Sequence, residues 1–232
     1  MNWVPTAGFG PLEYELKHEV APRLSVALVR DFLDSCCVAD LQHPLNTVAT
    51  IYYDTPSLAL LGEKFDSDYL KTKVRLRWYE EESGLQPTVA FAEIKVRRGT
   101  RRSKGRVRLN MPEPAPASLE LDHPGMPDLG TLLRRAGLWC PPLLMPVLFM
   151  RYERLRWVEP YTGTRVSLDR EIRVEAHNPL ALPGSVMTKG GLGTVVEAKG
   201  DSPELPPAMR GLLELGCRAD SFSKYARACF ST

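Results

Sequence analysis

Basic side chains alternate with mostly apolar ones along several extended stretches of this chain, and this pattern limits the folds open to it. In the clearest stretch, 71–79, Lys or Arg occupies positions 71, 73, 75 and 77. Successive side chains of a strand point to opposite faces, so the stretch predicts a strand with one charged and one apolar face. Like charges on neighbouring strands repel, so a sheet with such a face needs an anion or interleaved acids beside it.

Two-residue alternation recurs often enough to predict a whole sheet. The predicted strands are 12–18, 48–54, 71–79, 89–97, 104–109, 147–158, 164–174 and 193–199. Taken singly, each strand fits an ordinary antiparallel sheet with one wet face. Together they fit better a barrel whose charged face lines the interior, because eight strands leave room for about one narrow ligand. A chain of phosphates is the candidate, since Arg binds two oxygens at once and a few carboxylates could hold a divalent cation.

Helical spacing separates the predicted strands in four places. The predicted helices cover 22–33, 128–136, 206–215 and 221–230, and two loops cover the proline-rich segment 111–127 and the segment 178–193. We therefore expect an α+β protein, an eight-stranded antiparallel β-barrel with flanking helices, that forms a single domain over residues 1–232.

Composition narrows the class of partner and the location. The chain has 30 Lys and Arg against 28 Asp and Glu, a net charge of +2, and it shows no exposed basic stripe, so no specific nucleic acid is expected. No stretch reaches the roughly 18 apolar residues of a membrane span, so attachment to a membrane would need a membrane-protein partner. The five scattered cysteines have no metal-ligand spacing and predict reduced thiols in a cytoplasmic protein.

Eight short motifs add a resemblance to a known family. They are EYELK at 13–17, IYYDT at 51–55, KVRLRWY at 73–79 with EIK at 93–95, YER at 152–154, RVSLD at 165–169, VEAK at 196–199 and FSKY at 222–225. In the order of these motifs the chain resembles, within the triphosphate tunnel metalloenzymes, the VTC domain, which is the polyphosphate polymerase module of the vacuolar transporter chaperone complex. The motifs run from residue 13 to residue 225.

The resemblance implies a set of site residues. Those expected to act in catalysis are Arg75, Arg77, Arg154, Lys224 and Glu197. The residues expected to bind the phosphate chain are Lys17, Lys73, Arg75, Arg77, Lys95, Lys104, Tyr152, Arg154, Arg165, Lys199, Ser223 and Lys224. Glu197 is the expected main ligand of a Mn²⁺ or Mg²⁺ ion, with Glu13 and Glu15 as further candidates.

The chain also departs from the family pattern. Ser221 stands where a basic residue is expected, and Lys64 to Asp68 replace a glycine-bearing turn. The segment 97–102 is an unusually basic turn, which could attract an anion at a tunnel mouth or could simply be a solvated hairpin tip.

The implied function is transfer of the γ-phosphate of ATP to a growing inorganic polyphosphate chain. Two alternatives stay open at this point. One is a metal-dependent triphosphatase in which Glu13 or Glu15 positions a water, and the other is a polyphosphate sensor without catalysis.

Overall fold

A computed structural model describes residues 9–43, 45–66, 69–80, 84–183 and 191–230 of the chain. The eight long strands are β1 (Glu13–Val20), β3 (Leu45–Asp54), β4 (Leu70–Glu80), β5 (Val89–Arg98), β6 (Arg101–Asn110), β7 (Met145–Val158), β8 (Arg165–His177) and β9 (Thr194–Gly200). Two short strands are β2 (Val38–Ala39) and β10 (Arg218–Ala219). The helices are α1 (Val26–Cys36), α2 (Ala59–Asp66), α3 (Leu129–Arg135), α4 (Gly211–Glu214) and α5 (Lys224–Phe230).

The eight long strands close into an antiparallel barrel, which confirms the predicted fold class. Their order is β1-β6-β5-β4-β3-β7-β8-β9, and seven residue pairs between β9 and β1 close the ring. The short strand β10 pairs with β1, and β2 pairs with β7. Closure leaves neither end of the eight-stranded order as a free edge.

The outer face of the barrel is apolar and covered by helices, as the alternation predicts. On one side, Leu129 and Leu133 of α3 belong to a buried cluster with Leu76 and Ile94 of the barrel wall. On the other side, α1 and α4 cover a second cluster that contains Trp157. Burial of these apolar side chains favours the orientation in which the alternate, charged positions face inward.

Part of the barrel interior beside α5 is apolar, which the alternation of charge does not predict. The ring of Tyr225 on α5 stacks on Tyr52 of β3, with centroids 5.0 Å apart and planes 12° from parallel. Val195 and Tyr152 belong to the same buried cluster. The helix α5 therefore narrows the barrel at this end and contributes its own side chains to the interior.

Each of the four predicted helices corresponds to a helix of the structure, but most differ in extent, and one further helix was missed. The first begins at Val26 instead of residue 22, and the segment 206–215 forms a 3-10 turn followed by the short α4. The helix after residue 221 begins at Lys224. The prediction does not include α2, in which only Leu60 and Leu61 are buried. The α3 prediction is confirmed, with Asp128 accepting from the Thr131 amide at its N-cap.

The basic segment 97–102 is mostly strand, which corrects the prediction that β6 begins at residue 104. Arg97 pairs with Arg102 and Arg98 with Arg101, so only Gly99 and Thr100 form the turn. Gly99 has φ +59°, a conformation that glycine adopts without strain and that allows so short a turn.

The predicted loop 111–127 is confirmed apart from a 3-10 turn at Pro116–Ser118. Of the predicted loop 178–193, residues 184–190 lie outside the described residues. No helix in the described part of the chain has the length and apolar character of a membrane span.

Candidate functional site

Two cavities follow the barrel interior and meet in its middle. The α5-side cavity, bounded by α2, α5 and the barrel wall, has a volume of about 110 Å³. The far cavity, at the opposite end beside Tyr79 and Trp157, has a volume of about 420 Å³. Seven residues line both cavities, and these are Glu15, Arg75, Arg77, Lys95, Arg102, Arg154 and Lys199. Together the cavities form a tunnel along the barrel.

The charge of this tunnel differs sharply from that of the whole chain. Among the described residues, sixteen Lys and Arg line the two cavities, against only four carboxylates, Glu13, Glu15, Asp40 and Glu197. The whole chain carries a net charge of only +2. The remainder of the protein is therefore acidic, and the basic excess is concentrated where an anionic ligand would lie.

The strand register places like charges side by side inside the tunnel. Lys73 on β4 lies opposite Lys95 on β5, and Lys95 lies opposite Lys104 on β6. Directly opposed like charges destabilise a sheet. Carboxylates relieve this only in part, because Lys95 and Lys104 lie 2.5 and 3.6 Å from Glu15 and Glu93, whereas the described residues place no carboxylate within 4 Å of Lys73.

Glu93 is a buried carboxylate on which several tunnel cations converge. One of its oxygens accepts from Arg75 at 2.7 and 2.8 Å, and the other accepts from Arg106 at 2.6 and 2.7 Å. Arg77 and Lys104 lie within 4 Å of the same group. Burial alone would raise the pKa of Glu93, but these cations hold it well below its usual value. Glu93 thus stays ionised and fixes the direction of the guanidinium groups.

A second buried cluster lies on the opposite wall. Arg154 donates two hydrogen bonds of 2.6 Å to Asp169, and Lys224 of α5 lies 2.5 Å from the same carboxylate. Glu197 lies 3.2 Å from both Arg154 and Lys224 and 3.1 Å from Lys17. Burial raises the pKa of Glu197, yet these cations and Lys199 bring it well below the usual range. Both carboxylates are therefore ionised.

Tyr152 lies among the cations of this cluster. Its hydroxyl accepts a 2.8 Å hydrogen bond from Arg77, whose Nε also donates to Thr50. The ammonium of Lys224 lies 4.8 Å from the ring centroid, a favourable cation–π distance. Tyr152 therefore keeps its hydroxyl in the tunnel and positions two of the cations expected to bind phosphate.

The carboxylates of this cluster are the part of the tunnel that fits a divalent cation. Asp169 and Glu197 both lie against the Lys224 ammonium, so two anionic groups converge on one positive charge. Mg²⁺ is commonly held by one or two carboxylates together with substrate phosphates. The described residues contain no group of three His, Cys, Asp or Glu side chains that could hold a metal alone. The donor set thus fits a metal that arrives with phosphate ligands.

The two further metal candidates lie elsewhere. Glu15 contacts Lys95 at 2.5 Å and Arg102 at 3.0 Å, in the part of the tunnel shared by both cavities. Glu13 pairs with Arg165 and lines only the far cavity, whereas Glu197 lines only the α5-side cavity. Glu13 and Glu197 therefore share no cavity.

Burial makes two of the tunnel lysines unusually acidic. Burial lowers the pKa of Lys95 to about 7, although Glu15 opposes the change. Burial and the neighbouring Lys17 and Lys95 bring the pKa of Lys73 well below its usual value. A bound anion would favour the protonated form of both side chains.

The structure brings most of the sequence-predicted residues together. The α5-side cavity contains Glu15, Lys17, Lys73, Arg75, Arg77, Lys95, Tyr152, Arg154, Glu197, Lys199, Ser223 and Lys224, and the far cavity contains Glu13, Lys104 and Arg165. Sequence reasoning missed the roles of Glu93 and Asp169, which depend on cross-strand register. It also missed Lys64, because the helix that carries it was not predicted.

An antiparallel eight-stranded barrel lined from strand to strand by Lys, Arg and Glu is the triphosphate tunnel fold, and this chain has that fold. The solved structures that share it include two that carry the name "putative adenylate cyclase". The one from Vibrio parahaemolyticus is 12% identical with a TM-score of 0.51 and covers 94% of this chain and 98% of its own. The structure from Bacillus halodurans is 15% identical with a TM-score of 0.52, and the match covers 91% of this chain and 94% of the other. At these identities the likeness shows the fold alone.

A family model narrows the assignment. The VTC domain model matches residues 12–232, nearly the whole sequence, so the chain belongs to the VTC domain family. A search of curated proteins finds no match.

Proposed function

We propose that this chain is a metal-dependent polyphosphate polymerase that transfers the γ-phosphate of ATP to a polyphosphate chain held in the tunnel. The observation that carries the proposal is the row of Lys73, Lys95 and Lys104, which lie opposite one another inside a closed barrel. A linear polyanion relieves the repulsion along such a row, because each of its units presents anionic oxygens to the wall.

The transfer needs little covalent help from the protein. The terminal oxygen of the polyphosphate chain forms a bond to the γ-phosphorus, the bond from that phosphorus to the β,γ-bridging oxygen breaks, and ADP leaves. The acceptor is already anionic, so no general base is required. Arg75, Arg77, Arg154 and Lys224 orient the phosphates and stabilise the charge on the transferred group.

The metal belongs to the same proposal. Glu197, with Asp169 beside it, would hold Mn²⁺ or Mg²⁺, which when bound neutralises phosphate charge. In the chain alone, Lys224 lies against both carboxylates at 2.5 and 3.2 Å. Contact with phosphate would give this ammonium a third anionic partner, so Lys224 can move from the carboxylates toward the substrate.

One observation favours a second candidate, a polyphosphate-binding protein without catalysis. Each oxygen of Glu197 already lies within 3.2 Å of two cations, Lys17 and Lys224 on one side and Arg154 and Lys199 on the other. A carboxylate so fully paired binds a metal only if the phosphates draw those cations away. Formation of polyphosphate from ATP distinguishes the two candidates, because only the polymerase carries it out.

The test is incubation of the protein with ATP and Mn²⁺, with polyphosphate, ADP and free phosphate measured in the same sample. We expect one ADP for each phosphate unit added to polyphosphate. We expect Glu197→Gln to form neither product. The matched control Glu204→Gln changes an exposed carboxylate that lies 3.6 Å from Arg210 and lines neither cavity, and it should keep wild-type activity.

Each other outcome selects an alternative. Free phosphate without chain growth indicates a triphosphatase, and binding of polyphosphate without either product indicates a sensor. If the wild type and Glu197→Gln yield the same amounts of polyphosphate, ADP and free phosphate, the polymerase proposal is contradicted.

ATP as donor also supports the cytoplasmic location expected from the sequence. All five cysteines are free thiols, in keeping with a reducing compartment.

A further inference from the structure

Three tunnel lysines differ from the others in having no acidic partner in the described part of the chain. Most tunnel lysines lie within 4 Å of a carboxylate oxygen, and these are Lys17, Lys95, Lys104, Lys199 and Lys224. For Lys64, Lys71 and Lys73, the described residues supply no carboxylate within that distance. All three line the α5-side cavity.

Two of these lysines are held in place by neutral groups. The Lys64 ammonium donates to the Ser221 hydroxyl at 2.6 Å and to the Ser221 carbonyl at 3.1 Å. The Lys73 ammonium donates to the Ser223 hydroxyl at 2.8 Å. Such hydrogen bonds fix the position of a charge without neutralising it. Each hydroxyl acts here as an acceptor, so its own hydrogen can be donated to a bound anion.

The position of Lys64 follows from the way α2 is anchored to the barrel. The buried Asp54 at the end of β3 accepts from the amides of Leu60 and Leu61 in the first turn of α2, at 2.8 and 2.9 Å. A carboxylate at this end of a helix satisfies amides that have no intrahelical partner. The helix is therefore fixed with Lys64 directed at the tunnel mouth.

The surrounding charges favour an anion at this mouth. Lys71 and Lys73 share the inner face of β4, and Lys73 lies opposite Lys95. Burial lowers the pKa of Lys64, and Lys71, Arg97 and Lys17 lower it further. Asp220 acts in the other direction, but its carboxylate is bound to Arg227 at 2.8 Å.

We propose that Lys64, Lys71 and the hydroxyl of Ser221 form an additional phosphate-binding subsite at the α2 mouth of the tunnel, next to Lys73 and Ser223, which the family resemblance already implies in phosphate binding. The inference rests on the proposed function, because its ligand is a phosphate unit of the same polyphosphate chain. Position 221 has a serine where the family pattern predicts a basic residue, and Lys64 of α2 supplies a positive charge beside it.

The test is a titration of tripolyphosphate, without metal or ATP, into the wild type and four variants. We expect Lys64→Ala to weaken binding roughly tenfold, as loss of one charged contact does, and Lys64→Arg to keep it. In Lys64→Ala/Ser221→Lys, the new ammonium lies near the lost one, so most of the affinity returns. Arg23→Ala is the control, because it removes one exposed positive charge that lines neither cavity.

Wild-type affinity in Lys64→Ala overturns the subsite. Weakened binding that neither the arginine nor the relocated lysine restores also overturns it, because the loss is then structural. A wild type that binds tripolyphosphate with these effects but makes no polyphosphate contradicts only the proposed polymerase activity. A wild type that does not bind tripolyphosphate overturns both.

Discussion

At the scale of single residues, Glu93 combines a structural role with a role in preparing the site. Its side chain is fully buried, and two arginines converge on it from neighbouring strands. Removing one partner of a buried ion pair leaves the other charge uncompensated, which typically costs about 3–5 kcal/mol. We therefore expect Glu93→Gln to lower the free energy of unfolding by about that amount in urea denaturation.

Saturating tripolyphosphate should return part of this loss, because the bound anion neutralises the same arginines. The control is Glu153→Gln, because Glu153 and its partner Arg170 are each about one-third exposed. That change should lower the free energy of unfolding by about 1 kcal/mol or less relative to the wild type. This difference should be the same with and without tripolyphosphate. Equal losses in the two variants would contradict the role given to Glu93.

The depressed pKa of Lys95 makes binding depend on pH in a definite direction. At pH 8 an ammonium with a pKa of about 7 has mostly lost its proton in the free protein, and a bound phosphate restores it. Binding should therefore take up protons above pH 7, and affinity should fall as pH rises from 7 to 9. Below pH 7, Lys95 holds its proton in both the free and the bound protein. Its titration should therefore not change the affinity there.

Calorimetry of tripolyphosphate binding in buffers of different ionisation enthalpy measures this proton uptake. Lys95→Arg keeps its charge over the whole range and should reduce the uptake, leaving a smaller part from Lys73. Proton release on binding, or uptake unchanged by Lys95→Arg, would contradict the assignment.

At the scale of elements, Asp54 joins two helices that carry site lysines. It accepts from the first turn of α2 and from the Tyr225 hydroxyl of α5 at 3.0 Å, but it lines neither cavity. Asp54→Asn loses part of this acceptor set and should destabilise the fold by about 1–3 kcal/mol. Because α2 carries Lys64 and α5 carries Lys224, tripolyphosphate should also bind more weakly.

Denaturation and titration of the same variant check both effects. Asp128→Asn at the N-cap of α3 is the matched control, since α3 covers the outer face of the barrel. It should cost about 1 kcal/mol or less and leave affinity unchanged. Reduced affinity in both variants would contradict a specific link between Asp54 and the tunnel.

The sequence predicts the barrel well because strand alternation is a local signal. The inward direction of Arg75 and Arg77, and the outward direction of Trp78, follow from the two-residue period alone. The helix α2 could not be predicted in the same way, because it buries only two residues and is fixed by a side chain from the preceding strand. The convergence of cations on Glu93 likewise depends on register between strands, which no local pattern specifies.

At the scale of the whole molecule, the separation of charge explains how a nearly neutral chain can hold a polyanion. Sixteen basic side chains line the tunnel against four acids, while the chain carries a net charge of only +2. Attraction of the ligand is therefore confined to the tunnel, where screening by salt is weaker than on an exposed surface.

The most direct test of the account is the affinity of the wild type and of Lys73→Ala/Lys95→Ala for tripolyphosphate. These lysines lie side by side in the row of opposed charges, and together their loss should weaken binding by roughly a hundredfold. We predict saturable binding of one tripolyphosphate per wild-type chain and a loss of that size in the double variant. Equal binding by both proteins, or none by the wild type, would contradict it.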